Sequence, residues 1–149
     1  MADFTIRMTT TLPATRCFAT LTDWDAHSAA IPLTTLRHEG SPRVGQRFVA
    51  RTGVRRVGFD DVMVVVALRP PAGDEPGDES GVTEVRKEGR VIGGDVAWTV
   101  TPLAIGSLVE WRQHLTVGWL PDVLDPVVGF VGRAAYSSGL RRILASGIH

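Results

Sequence analysis

From Gly45 to Val117 the chain repeats one device: a glycine opens a run that carries Val, Thr, Trp or Phe, and the run closes on a turn. The runs are Gly45–Thr52, Gly58–Arg69, Gly81–Val91, Gly94–Pro102 and Gly106–Val117, with a shorter one over Thr35–His38. Alternation with period two sends successive side chains to opposite faces, so each run predicts a strand with a wet and a dry side. Their short connections predict antiparallel pairing, because a parallel return needs a crossover of about a dozen residues. Phe4–Thr10 adds a strand ahead of them, with Phe4, Ile6 and Met8 on its dry face. Such a sheet has one apolar face that another element must cover.

The helices predicted to cover it lie on either side of the strands. Pro13 suits a first helical position, where its missing N–H costs nothing, and Cys17, Phe18 and Leu21 recur at helical spacing up to about Thr22. Thr22 or Asp23 can cap a second short helix over Trp24–Ala30, which Pro32 stops. Asp125-Pro126 is an acidic cap followed by proline, and Arg141-Arg142 complements the far end, so a long helix is expected from Pro126 to about Ala145. Its glycines, Gly129, Gly132 and Gly139, each cost up to about 1 kcal/mol against alanine. They allow either close packing on the sheet or a hinge. The link Pro70–Ser80 is rich in Pro, Gly and acids and is expected to be a flexible surface loop. It does not match a calcium loop, since Pro76 stands where an oxygen ligand is needed and Val85 where the final Glu belongs. The element order is β, α, α, six strands, α, an α+β class.

Composition narrows the function. At 149 residues the chain is expected to form one domain, 1–149. Sixteen basic residues balance sixteen acidic ones, so no positive field favours nucleic acid. The lone Cys17 excludes an intrachain disulfide and a paired-cysteine metal or redox site. Met1-Ala2-Asp3-Phe4 has no leader character and the apolar run Val62–Leu68 is far short of a membrane span, so a cytoplasmic protein is expected. No nucleophile elbow, phosphate loop, dinucleotide fingerprint or zinc-protease motif occurs. His27, His38, His114 and His149 fall on separate elements, so neither a metal site nor a cofactor is expected.

Sorting the strands by face selects candidate site residues. Glu84, Arg86, Glu88 and Arg90 alternate on a wet face, which turns Lys87 toward the apolar side with Val85; snorkelling to water or a β-bulge would instead take it out. Trp111, Leu115 and Val117 share a face with Gln113, a buried amide that needs a polar partner. Phe48 and Trp98 also point inward, and Phe130 on the last helix is expected to join them. His114 lies on the wet face in a cross-strand role. Asp60 and Asp61 point to opposite faces. Asp61, with Met63 and Val65, is a candidate base or partner for Lys87. The ligand-contacting set is therefore Phe48, Lys87, Trp98, Trp111, Gln113 and Phe130, with Asp61 and Lys87 as candidate catalytic groups.

Several segments carry a resemblance to a known family. They are Pro13-Ala14, Leu21-Thr22-Asp23-Trp24-Asp25-Ala26-His27-Ser28 and Ile31-Pro32-Leu33-Thr34. They continue with Arg51-Thr52-Gly53, Gly58-Phe59-Asp60-Asp61, Lys87-Glu88-Gly89-Arg90-Val91 and Val109-Glu110-Trp111. Over nearly the whole chain the sequence resembles the START/Bet v 1-like superfamily, within it the bacterial SRPBCC proteins labelled polyketide cyclase/dehydrase. The resemblance implies a helix-grip fold, in which a seven-stranded antiparallel sheet wraps the long C-terminal helix and two short helices close one end of a cavity. It also implies a hydrophobic ligand such as a lipid or polyketide. It transfers no catalytic residue, because members range from carriers to aromatase/cyclases. Three readings stay open: a monomeric or homodimeric carrier of a hydrophobic small molecule, a cyclase or dehydratase using Asp61 or Lys87, and an interaction module that pairs through an exposed strand Val62–Leu68.

Overall fold

A computed structural model describes residues 2–24, 34–38, 40–54, 57–88, 92–117 and 122–146. The elements are β1 (Ala2–Thr10), α1 (Ala14–Leu21), β2 (Thr34–Arg37), β3 (Arg47–Val54), β4 (Val57–Arg69), β5 (Gly81–Glu88), β6 (Ile92–Pro102) and β7 (Ser107–Val117). A 3-10 turn, Asp122–Leu124, leads into α2 (Asp125–Ser146). The strands form one antiparallel sheet in the order β1-β7-β6-β5-β4-β3-β2. The expected seven strands and long C-terminal helix are therefore present, and α1 is the first of the two short helices. The second, beyond Trp24, falls outside the described residues.

The sheet is a run of hairpins closed by one long-range pairing, β1 on β7, in register from Ala2 opposite Leu115 to Thr10 opposite Ser107. Gly106 makes the junction possible. Its φ is +75°, and a Cβ there would lie 1.8 Å from the Thr10 carbonyl oxygen, so the β6–β7 turn can sit on the end of β1 only without a side chain. Ser107, fully buried, then donates to the Leu12 carbonyl at 2.9 Å and ties β7 to the segment entering α1.

α1 begins one residue later than expected. Pro13, with ψ 149°, is extended and serves as the N-cap rather than the first helical residue, and proline has no side-chain acceptor for the cap. Asp74 supplies one from the 70–80 link: its Oδ1 accepts from both the Thr15 N–H and the Thr15 hydroxyl at 2.8 Å. The link expected to be a flexible loop is pinned in this way, and Ala72 donates to the Glu79 carbonyl at its base. α1 buries Ala14, Cys17, Phe18 and Leu21. α2 is unbroken over 22 residues, and Gly132 and Gly139 are buried within it, as the close-packing reading of the glycines expects.

β4 explains why Val62–Leu68 reads as apolar on both faces. Val65 opposes Val85 and Ala67 opposes Glu84, so Val66 is the extra residue of a bulge and is 41% exposed. Val64, on the outer face, is only 8% exposed. It lies in register between Arg47 and Arg86, whose guanidinium groups both bond Glu88 at 2.9 Å and draw their stems across it. Those bonds, the one from Arg86 foremost, hold the Glu88 carboxyl below the usual range. The strand is internal, hydrogen-bonded to β3 on one side and β5 on the other, which overturns the expectation that it pairs with a partner chain.

The outer face also joins β1, β7 and β6 through His114. Asp3, His114 and Asp95 are cross-strand neighbours, with Nδ1 of His114 bonded to Asp3 and Nε2 3.9 Å from Asp95. The hydrogen bond to Asp3, helped by the charges of both carboxylates, raises the imidazole pKa. A raised histidine stabilises the fold fully below its unfolded value, and that contribution is lost as pH rises through the folded value. The melting temperature of the native chain relative to Asp3→Asn should therefore be highest near about pH 5.5 and should shrink toward about pH 8.5. A difference that is flat or grows with pH would contradict the assignment.

Candidate functional site

The concave face is built by alternation. β5 turns Thr83, Val85 and Lys87 inward, β6 Val96, Trp98 and Val100, β7 Val109, Trp111 and Gln113, and β3 Phe48 and Ala50. Rings dominate this surface because Trp98 and Trp111 are directly opposed on neighbouring strands and stack with centroids 4.8 Å apart and planes 7° from parallel. The stack continues at both ends. Trp24 meets Trp98 edge-on at 6.2 Å and lies flat on Phe48 at 4.8 Å, while Tyr136 of α2 leans on Trp111 at 5.9 Å and on Phe4 at 5.8 Å. An unbroken ladder of rings thus crosses the interior from β3 to β1.

Polar groups meet this ladder at chosen points. The Trp24 indole N–H donates to Gln46 Oε1 at 3.0 Å, so that buried pair is satisfied. The Trp111 indole N–H donates to Gln113 Oε1 at 3.1 Å. An indole nitrogen can only donate, which orients the Gln113 amide: its oxygen faces Trp111 and its NH2 faces away. Gln113 is 1% exposed, and that NH2 has no acceptor among the described residues. An orphaned buried donor costs on the order of 1–3 kcal/mol.

Lys87 is half-buried and inward, in register with Met63 on β4 and Gly94 on β6. Gly94 brings no side chain to its position, which leaves room at that end for Lys87 to reach α2. Its Nζ donates to the Tyr136 hydroxyl at 3.2 Å. Between the ladder and these groups lies a cavity of about 60 Å³, lined by Trp24, Leu36, Phe48, Met63, Val85, Lys87, Val96, Trp98, Trp111, Gln113 and Tyr136.

No family model matches the chain, and no curated protein matches it. Solved structures do. The di-domain aromatase/cyclase StfQ of the steffimycin biosynthetic pathway superposes with a TM-score of 0.70 at 20% identity, covering 97% of this chain and 50% of StfQ. The chain thus spans half the length of that protein. TTHA0849 from Thermus thermophilus superposes with a TM-score of 0.72 at 10% identity over 98% of this chain and 97% of its own. Norcoclaurine synthase from Thalictrum flavum, in complex with dopamine and hydroxybenzaldehyde, gives 0.62 at 9% identity over 97% and 86%. The chain shares the helix-grip fold of these structures.

Within this helix-grip fold the structure brings together Phe48, Lys87, Trp98, Trp111 and Gln113 of the expected set. Phe130 is not with them: it is 77% exposed. α2 is buried at Gly132, Gly139, Leu140, Ile143 and Leu144, and a residue two positions before Gly132 lies about 200° around the helix from it, on the opposite side. The aromatic on the inward stripe is Tyr136, four residues after Gly132 and four before Leu140, a spacing visible in the sequence. Asp61 pairs in the backbone with Ala50, and its side chain is outside the described residues. Cys17 is buried, hydrogen-bonded to Ser107, and its thiol is pushed up to about 11 chiefly by burial, which makes it unreactive. Among the described residues no cluster of His, Cys, Asp or Glu could hold a metal ion, and no helix is long and apolar enough to cross a membrane.

The Trp111–Gln113 bond can be measured. Trp111→Phe leaves both ends of the amide without a partner and should destabilise by about 2–4 kcal/mol. Gln113→Leu strands the indole N–H instead, so the double variant should be less destabilised than the sum of the singles by about 1 kcal/mol. Additive urea midpoints across the cycle would show that the bond contributes nothing.

Proposed function

We propose that the protein binds a small hydrophobic molecule, aromatic in character, between the concave face of the sheet and α2, with residues 1–149 acting as one binding domain. The observation that carries this reading is the Gln113 amide, held in place by Trp111 with its donor left over among stacked rings. Apolar, ring-rich walls with few convergent polar groups are the composition of a ligand site. The norcoclaurine synthase of the same fold, whose complex contains single-ring aromatics, supports the reading.

The volume sets a condition on how binding happens. About 60 Å³ takes a few waters, whereas benzene occupies an engineered cavity of about 150 Å³. A ring-sized ligand therefore enters as Tyr136 and the first half of α2 move outward, exchanging contacts within the ladder for contacts with the ligand. That half of α2 presents Val127, Phe130 and Val131 to solvent. A panel of flat aromatics and fatty acids, followed by calorimetry and melting temperature, should contain binders that stabilise the protein. Val96→Phe, which fills the cavity, should weaken them about tenfold while the fold is retained. No binder in the panel, together with no small molecule co-purifying in native mass spectrometry, would sink the reading.

The Lys87–Tyr136 bond favours a second reading, an enzyme. An ammonium has no lone pair, so the tyrosine oxygen accepts and its own hydrogen points elsewhere, which equips Tyr136 as a proton donor to a carbonyl ligand with Lys87 stabilising the phenolate. This assigns the acid–base role to Tyr136 and Lys87. Turnover of a polyketone substrate should then fall about a hundredfold in Tyr136→Phe with binding retained. Equal turnover by the variant would remove this reading.

A further inference from the structure

Every polar group that the described residues present to the cavity is a donor or is already used as an acceptor. Gln113 Oε1 is taken by Trp111, and its NH2 remains. Lys87 brings an ammonium, which only donates, and among the described residues it has no carboxylate partner: its one hydrogen bond goes to Tyr136. Tyr136 accepts that bond and so turns its hydrogen elsewhere. The remaining described lining residues are apolar or indole, with no acid among them. A buried amide donor without an acceptor and a half-buried cation without an anion are both costs to the folded chain, and one group on a ligand would relieve them together.

We infer that the ligand is an oxyanion on a flat apolar body, an aromatic carboxylate or an enolate or phenolate of similar shape, whose oxygen lies between Lys87 Nζ and Gln113 Nε2 while its ring joins the Trp98–Trp111–Tyr136 ladder. This rests on the cavity being the binding site and adds the sign and chemistry of the ligand's polar end. The same groups disfavour cations: an ammonium would meet Lys87 across the cavity, and among the described lining residues there is no carboxylate to hold it. A neutral amide would satisfy Gln113 with its carbonyl and leave Lys87 unpaired.

Benzoate, benzamide and benzylammonium have nearly one shape and three charges, and as single rings they demand the least opening. Titrated into the native protein by ligand-observed NMR, benzoate should bind about tenfold tighter than benzamide, and benzylammonium should not bind measurably. Lys87→Met should bring benzoate and benzamide to within about twofold of each other, with the melting temperature reporting an intact fold. Gln113→Glu keeps an oxygen for Trp111 but replaces the free donor with negative charge. It should weaken benzoate by at least about tenfold. Equal affinities for benzoate and benzamide in the native protein, or a preference for benzylammonium, would overturn the inference while leaving ligand binding in place. Binding of none of the three would overturn it as well, and the wider panel of aromatics and fatty acids then tells whether the cavity binds anything.

Discussion

The contact on which the interior depends is the flat stack of Trp98 on Trp111. The two sit at directly opposed positions of β6 and β7, so the stack exists only in one register, and a one-residue slip of either strand would throw its indole onto the wet face. Each ring then serves a second partner. Trp98 meets Trp24 in a T-shaped contact, and Trp24 carries the ladder to Phe48 on β3. Trp111 spends its N–H on Gln113 and its outer edge on Tyr136, which carries the ladder to α2 and β1. The sheet, Trp24 beyond α1 and the long helix are thus joined through rings rather than through a uniform aliphatic core. Rings are stiff and leave gaps where their edges meet, and the polar cavity lining lies at such gaps.

The polarity of those gaps follows from bond directions. Tryptophan and lysine donate and cannot accept, so each fixes the role of the atom it faces: Gln113 must turn its oxygen to Trp111, and Tyr136 must accept from Lys87. Hydrogen positions, which coordinates leave open for most side chains, are here determined by chemistry. At 9–20% identity the neighbouring structures show the frame alone, so the chemistry of the site has to be read from this chain's own side chains.

How much of this was legible in the sequence depends on the range of the interaction involved. Period-two alternation is local, and it placed Val85 and Lys87 of β5, Trp98 of β6 and Gln113 of β7 on the inner face, where the structure has them. The bulge at Val66 is a property of two strands, and from one strand it reads as an apolar run without a face. The Asp74 cap on α1 joins residues 59 apart in a link whose composition signals only a loop. Phe130 and Tyr136 are a different case, because the phase of α2 was readable. Gly132, Tyr136, Gly139, Leu140 and Ile143 make a stripe, but its members are small, polar-tipped or aliphatic, and hydrophobicity favoured the one large apolar ring lying off it.

That misplacement bears on how the site opens. A helix whose most apolar side chains face the sheet along its full length would be held along its full length. Leu140, Ile143 and Leu144 in the second half of α2 are buried, while Val127, Phe130 and Val131 of its first half face solvent. The sheet side of the cavity cannot yield without breaking ladder hydrogen bonds between central strands, so the compliant wall is the helix side. The binding proposed above, which needs α2 to move outward at Tyr136, would separate the tyrosine from both Trp111 and Lys87. One motion therefore enlarges the cavity and exposes the Lys87 ammonium to whatever enters, and a ligand able to replace the Lys87–Tyr136 bond offsets the energy of that opening.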